Sequence, residues 1–411
     1  MDELIADNPE TRDRLGFAPM AEILVNVIRA TSAPFTVGVF GAWGSGKTTL
    51  MNLVRMRLEA QGTKAVWFNA WKYDGKEVIW NALMQAIFYR MKSDPEMVGK
   101  TDFLQRLGDT AGKFALFAAK AATRFIPGNI VKEGDVDAVV AALKPLSAND
   151  PQFEFINKFE STFDGLAKEY VGQNGKLVVF VDDLDRCLPE NAVAILEAIK
   201  LYMDRTNVMF VLGVEPAVIE EGIRARYRDN PKLQAKDYLE KIVQLPFVMR
   251  GLDQTNARSL ILPYEEASGW SGDPVMHRLI FAGTSANPRR IKRFVNTYYV
   301  LSRIAELSGA KPFQADAHRL ALVLLLQMRA PDVYAELVRN AELLRDYREA
   351  CDLPTQQRDD RLARRNDLRA IFEDSQLRAF LDQTKEVDVN PDLLRRWVLL
   401  ARGEEEPTAG Q

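Results

Sequence analysis

Residues 37–50 read VGVFGAWGSGKTTL. A short β-branched and aromatic run leads into Gly41, Ala42, Trp43, Gly44, Ser45, Gly46, Lys47 and Thr48. That octet fits G-x-x-x-x-G-K-[ST], the phosphate-binding loop, with strand before it and helix after it. Glycines let successive backbone N–H groups turn inward around anionic oxygens, and the positive end of the following helix points at the same oxygens. Lys47 offers a point charge to the β/γ-phosphates, and the Thr48 hydroxyl is suited to Mg²⁺. The nucleotide-binding set read from the motif is therefore Gly41, Ala42, Trp43, Gly44, Ser45, Gly46, Lys47, Thr48 and Thr49.

Around the loop the chain alternates between strand and helix periods. Met20, Ile23, Leu24, Val27 and Ile28 recur at helical spacing and predict a helix over 18–30. A strand follows at 35–40. Leu50, Leu53, Val54 and Leu58 mark the next helix, which Gly62 ends, and KAVWFN at 64–69 reads as a second strand. A helix is expected over 77–91. The span 93–150 has no strand pattern and is punctuated by Pro95, Pro127 and Pro145, so it reads as a helical insertion. An amphipathic helix over 153–170 leads to two nearly continuous apolar strands, 176–181 and 208–214, flanking a helix at 189–202. Such runs suit parallel strands covered on both faces. The order predicts an α/β fold: a parallel sheet with helices on both faces. After Pro246 the pattern is mostly helical. The expected division is a core of 1–92 and 151–250, the insertion 93–150, a lid-like region 251–330, a helical C-terminal region 331–402 and a polar tail 403–411. Trp71, just past the second strand, is expected in the core.

A nucleotide-hydrolysing site needs an acid to hold the metal and a group to orient the attacking water. The strand at 176–181 runs into Asp182, Asp183, Leu184, Asp185 and Arg186. Strand-terminal carboxylates sit where ligands bind in parallel sheets. Asp182 is the candidate metal acid with Thr48, and Asp183 the candidate for polarising water. Asp185 and Arg186 read equally well as a solvated loop with a local ion pair. Glu215, ending the next strand, is either a γ-phosphate sensor or an ordinary strand-end acid. The cluster Arg289, Arg290, Lys292 and Arg293 could reach a phosphoryl group from its own chain or a neighbour's, form a basic helix face, or touch nucleic acid.

The composition excludes several classes. A net charge of −3 over 411 residues provides no global field to recruit nucleic acid. Two cysteines, Cys187 and Cys351, make no disulfide framework and suit a reducing, cytoplasmic setting. Two histidines and no Cys-x-x-Cys argue against structural zinc. The first residues, MDELIADNPETRDRLGF, lack the apolar core of a leader. The stretch 111–130 carries Lys113, Lys120, Arg124 and Pro127 and fails as a membrane span, although an Ala-rich, cation-flanked helix could lie peripherally on a membrane.

Five segments together resemble the KAP family of P-loop NTPases: GAWGSGKTTL, VWFNAWKYDGKEVIWNAL, VVFVDDLDRC, VMFVLGVEPAVIEEGI with YLEKIVQLPF, and NPRRIKRFVN. The resemblance runs over about 13–301. It implies a P-loop sheet with an additional strand between the two phosphate-site strands, ATP as nucleotide and Mg²⁺ as metal. It also implies Asp182 as the metal acid, Asp183 as the catalytic water-orienting acid beside Lys47, and Arg289 near the γ-phosphate. Residues 13–17 match the family's segment near the adenine. Two departures stand out. Many members insert a pair of membrane-spanning helices between the two phosphate motifs, and the family usually has Asp where this chain has Glu215.

A complete nucleotide site without a recognisable second catalytic domain suggests a switch. ATP binding and hydrolysis would reposition the C-terminal helices or an oligomer interface, and so control a partner. A homo-oligomer or a hetero-complex with an effector protein is expected. Bacterial relatives of this kind are implicated in defence against phage. The alternative is a nucleic-acid-stimulated ATPase, motivated by 289–293 and by Arg361, Arg364, Arg365 and Arg369. It is less favoured because of the net charge and the interleaved Asp359, Asp360 and Asp367.

Overall fold

The computed structural model describes residues 13–74, 79–124, 151–172, 175–203, 207–227, 235–265, 270–307 and 315–403. Part of the expected insertion (125–150) and nearly all of the expected tail (404–411) lie outside the described residues. The described residues form two compact units: one within Phe17–Trp43 and Lys47–Arg250, the other made of 13–16, Gly44–Gly46 and the described residues from Gly251 onward.

The first unit is built on strands β1 (Phe35–Phe40), β2 (Lys64–Asn69), β3 (Leu177–Asp182), β4 (Val208–Val214) and β5 (Leu245–Val248), in the order β2-β3-β4-β1-β5. Every neighbouring pair is parallel. β4 separates β1, which feeds the phosphate loop, from β3, which ends in Asp182. This is the additional strand that the family resemblance implies. Every residue of β3 and β4 is buried, so helices must cover both faces.

Helices α1 (Ala18–Ala30) and α2 (Lys47–Ala60) pack together over one face, with Leu50, Met51, Val54 and Leu58 of α2 buried. The remaining helices of the sheet region are α3 (Ile79–Ser93), α4 (Thr101–Arg124), α5 (Pro151–Val171), α6 (Pro189–Met203), α7 (Pro216–Arg226) and α8 (Ala235–Ile242). Val66, Phe68, Val179, Val181, Phe210 and Leu212 share one core with Leu83, Ile87, Phe163, Leu196 and Ile219. Phe88 meets Phe159 and Phe163 edge-on, at 6.4 and 5.9 Å between ring centroids, and so ties α5 to α3.

The described elements after Val248 are helices, as expected beyond Pro246, but strand β5 itself is not read from the sequence. It has only four residues, alternates between half-buried and exposed positions, and pairs Pro246 with Gly38 of β1. Proline has no N–H to give a ladder, so an edge strand is where a sheet tolerates it. A four-residue run broken by Pro carries too little pattern to be read as a strand.

The second unit is helical among its described residues. It contains α9 (Gln254–Glu265), α10 (Pro274–Thr284), α11 (Pro288–Leu307), α12 (Ala315–Arg329) and further helices from Pro331–Arg339 to Pro391–Arg402. Leu320 to Leu326 of α12 are all buried, so this helix is enclosed by others on every side. Asp273 caps α10 by accepting from the Val275 and Met276 N–H groups, and its other oxygen lies 2.6 Å from His318 on α12. No described helix is long and apolar enough to cross a membrane.

Phe163→Ala should cost about 3–5 kcal/mol, the usual loss for emptying an aromatic core site. Urea unfolding checks this. A loss below about 1 kcal/mol would show that α5 is not part of the sheet's core.

Candidate functional site

The site lies at the C-terminal ends of the parallel strands, where the chain leaves β1, β2, β3 and β4. Gly44 and Gly46 have φ of 79° and 97°. Glycine adopts that left-handed backbone freely, which is what the motif requires of these positions. The Gly41 N–H donates to the Val214 carbonyl at 3.2 Å, so the start of the loop is tied to the end of β4.

Lys47 is only 7% exposed. Its Nζ donates to the Gly41 carbonyl at 2.9 Å and, more weakly, to Ala42 at 3.4 Å. It also lies 2.8 Å from Oδ2 of Asp185. Burying an ammonium without a counter-charge is costly, and Asp185 supplies one. Asp185 was only an open alternative in the sequence, where nothing indicates which way its carboxylate turns.

Thr48 Oγ1 donates to Asp182 Oδ1 at 3.1 Å. The two residues meet because β1 and β3 are separated by one strand, and because that strand carries Gly213 at the crossing. A Cβ on Gly213 would fall 2.8 Å from Met51 Sδ and 3.1 Å from Asp182 Oδ1. Burial pushes the Asp182 carboxyl up to about 6, and the neighbouring Asp183 charge adds to this against the Thr48 hydrogen bond. A hydroxyl and a carboxylate oxygen are hard donors that suit Mg²⁺, which takes few protein ligands and completes its shell with phosphate and water. Among the described residues no group of three or more His, Cys, Asp or Glu side chains is arranged to cage a metal.

Asp183 stands in the left-handed region at φ 57°. For a non-glycine residue this stores roughly 1–3 kcal/mol of strain, toward the low end for Asp. Its carboxylate is held on both sides. Asn69 Nδ2 donates to Oδ2 at 2.6 Å, and Arg186 Nε lies 2.7 Å from Oδ1. Asn69 is in place because β2 pairs with β3 in the register Asn69 to Asp182. Glu215 accepts from the backbone N–H of Trp43 at 3.0 Å, inside the phosphate loop. Cys187 is buried and its thiol is pushed up to about 12, by burial first and then by Asp74, Asp183 and Asp185, so it is inert.

Trp71 is not in the core: it is 53% exposed, and Trp43 is 56% exposed. The Arg186 guanidinium lies 5.3 Å from the Trp71 ring and 5.8 Å from the Trp43 ring. A cation over an indole face is favourable even at an exposed position, which explains why a tryptophan at a strand end need not be buried.

In the helical unit, Arg289 sits at the start of α11. Its N–H and that of Arg290 donate to Asn287 Oδ1, at 3.1 and 3.2 Å. The Arg289 N–H also approaches the Gly44 carbonyl at 3.4 Å, and a Cβ on Gly44 would fall 2.6 Å from Arg289 Cβ. The basic cluster does not share one face: Lys292 is buried, whereas Arg290 and Arg293 are exposed. Ser259 Oγ donates to the Arg14 carbonyl at 2.9 Å, placing part of the 13–17 segment against α9.

Thermal unfolding in EDTA tests the Asp182 environment. The folded-state pKa lies above the unfolded carboxylate value, so the folded protein holds the proton more tightly and loses stability as pH rises from about 4 to 6. Asp182→Asn carries no such charge. It should melt higher than wild type at pH 8, by as much as about 3 kcal/mol, and the gap should close near pH 4.

Over 327 residues the chain is 24% identical to the phage T7 exclusion protein of Escherichia coli K12, an alignment covering 73% of this chain and 43% of that protein. The chain thus spans less than half the length of this relative. A Walker-type ATPase of Pyrococcus abyssi superposes with a TM-score of 0.37 at 11% identity, over 96% of this chain and 98% of that one. The model of the KAP family P-loop domain matches residues 17–305, from the start of α1 nearly to the end of α11. The chain therefore belongs to the KAP family of P-loop NTPases.

Proposed function

We propose that this protein binds and hydrolyses ATP and uses the cycle as a conformational or oligomerisation switch that controls a partner. The observation that carries this reading is the convergence of Lys47, Thr48, Asp182 and Asp183 at the strand ends. In this mechanism the loop from Gly41 to Thr49 cradles the phosphates through its N–H groups. Lys47 exchanges Asp185 for the β/γ-phosphates, Thr48 and Asp182 hold Mg²⁺, and Asp183 orients the water for in-line attack. Thr48 and Asp182 would thereby place a divalent cation's positive charge beside the phosphates, where negative charge develops during transfer. Arg289, from this chain or a neighbouring copy, would stabilise charge on the transferring group. An anti-phage role is supported by the phage exclusion protein among the relatives, and the cytoplasm is the compartment in which such a role would be played.

The nucleic-acid-stimulated reading is weaker. Arg361, Arg365 and Arg369 lie 2.7 to 3.5 Å from the carboxylates of Asp346, Glu349, Asp367 and Glu373. Guanidinium groups already paired with acids have less to gain from a phosphate backbone. Added DNA or RNA at low salt should leave the rate unchanged.

Lys47→Ala should abolish nucleotide binding by calorimetry, and Asp183→Asn should bind Mg-ATP with wild-type affinity yet release no phosphate. Normal hydrolysis by Asp183→Asn would remove that residue from the mechanism. Asp185→Asn should bind Mg-ATP roughly tenfold more tightly, a gain of about 1.4 kcal/mol, because Lys47 no longer leaves an ion pair to reach the phosphates. Unchanged or weaker binding would show that Asp185 does not compete with the nucleotide.

A further inference from the structure

We infer that Arg186 is a positioning residue that restrains Asp183 while the phosphate loop is empty and releases it when the loop fills. The inference rests on the reading of Asp183 as the water-orienting acid. Three contacts converge on this one guanidinium. Its Nε lies 2.7 Å from Asp183 Oδ1, and its Cζ lies 5.8 Å from the Trp43 ring and 5.3 Å from the Trp71 ring. Asn69 engages the other Asp183 oxygen at 2.6 Å. An acid that orients water must offer an oxygen to it, and here each Asp183 oxygen already has a partner with which a water would have to share it, on Oδ1 a cation.

The link to the loop runs through Trp43, which belongs to the loop itself and whose N–H is held by Glu215. A phosphate entering the loop competes with Glu215 for that N–H. As Trp43 shifts, Arg186 loses one of its two aromatic faces and with it part of what holds it against Asp183. The two indoles are more than half exposed, so their contacts with the guanidinium can come apart without disturbing the core. Aromatic rings and arginine gain from one another only in register, and this makes the contacts responsive to a small displacement of the loop.

Arg186→Gln and Trp71→Leu test the inference by two routes, both at sites whose loss empties no core. Arg186→Gln should raise kcat for Mg-ATP at least fivefold with KM within twofold of wild type. Trp71→Leu should give a smaller rise in kcat. Arg186→Gln combined with Asp183→Asn should be inactive, since the gain acts through Asp183. Tryptophan fluorescence supplies a readout independent of turnover. Wild type should change its emission on adding Mg-AMPPNP, and Trp71→Phe should lose a large part of that change. A kcat for Arg186→Gln at or below the wild-type value, or an AMPPNP response identical in Trp71→Phe, overturns the inference while the ATPase reading stands. Intact nucleotide binding with no turnover in any of these proteins overturns the ATPase reading and this inference with it.

Discussion

A buried positive charge organises the site. Lys47 is buried, and an ammonium at 7% exposure needs an opposite charge and hydrogen-bond acceptors at all times. The first residues of its own loop provide the acceptors, and Asp185 provides the charge. That requirement explains why β3 is followed by a tight turn rich in acids rather than by a plain loop. The same turn carries Arg186, a cation that offsets the charge of Asp183 between Asp182 and Asp185.

The second constraint is that these acids must differ. Asp182 is buried at the end of its strand and its carboxyl is raised to about 6, whereas Asp183 turns away in a left-handed conformation, toward Asn69 and Arg186. Adjacent residues in an extended strand point to opposite faces. The left-handed turn changes where the second side chain goes, so that one acid faces Thr48 and the next faces the end of β2. Local strain of this kind persists where the surroundings over-determine it, and two contacts on one carboxylate provide that.

Four of the five strands could be read from the chain because their apolar runs are long and uninterrupted, and β1, β2 and β4 lie where the pattern places them. β5 could not, because Pro246 and half-exposed positions leave no run to see. The meeting of Thr48 with Asp182 was foreseeable from motif and strand order. Asn69 carried no signal in its own segment: its contact with Asp183 depends on the parallel register of β2 and β3, which no local pattern encodes. Trp71 was misjudged for a related reason. Hydropathy places tryptophan inside, but what decides its position here is a single cation from a segment more than a hundred residues away. Asp185 and Arg186 were visible as residues but not as partners, since an acid-rich turn looks the same whether its side chains face solvent or a buried lysine.

Gly213 shows how little material separates the C-terminal ends of the strands. No side chain fits there: even a Cβ would fall 2.8 Å from Met51 Sδ and 3.1 Å from Asp182 Oδ1. Asp182 is therefore positioned by close packing against a bare backbone as much as by its hydrogen bond. A lineage could lose the placement of Asp182 through this one position, with every polar residue of the motifs intact. Motif-based reading of such a descendant would still report a complete set of motifs.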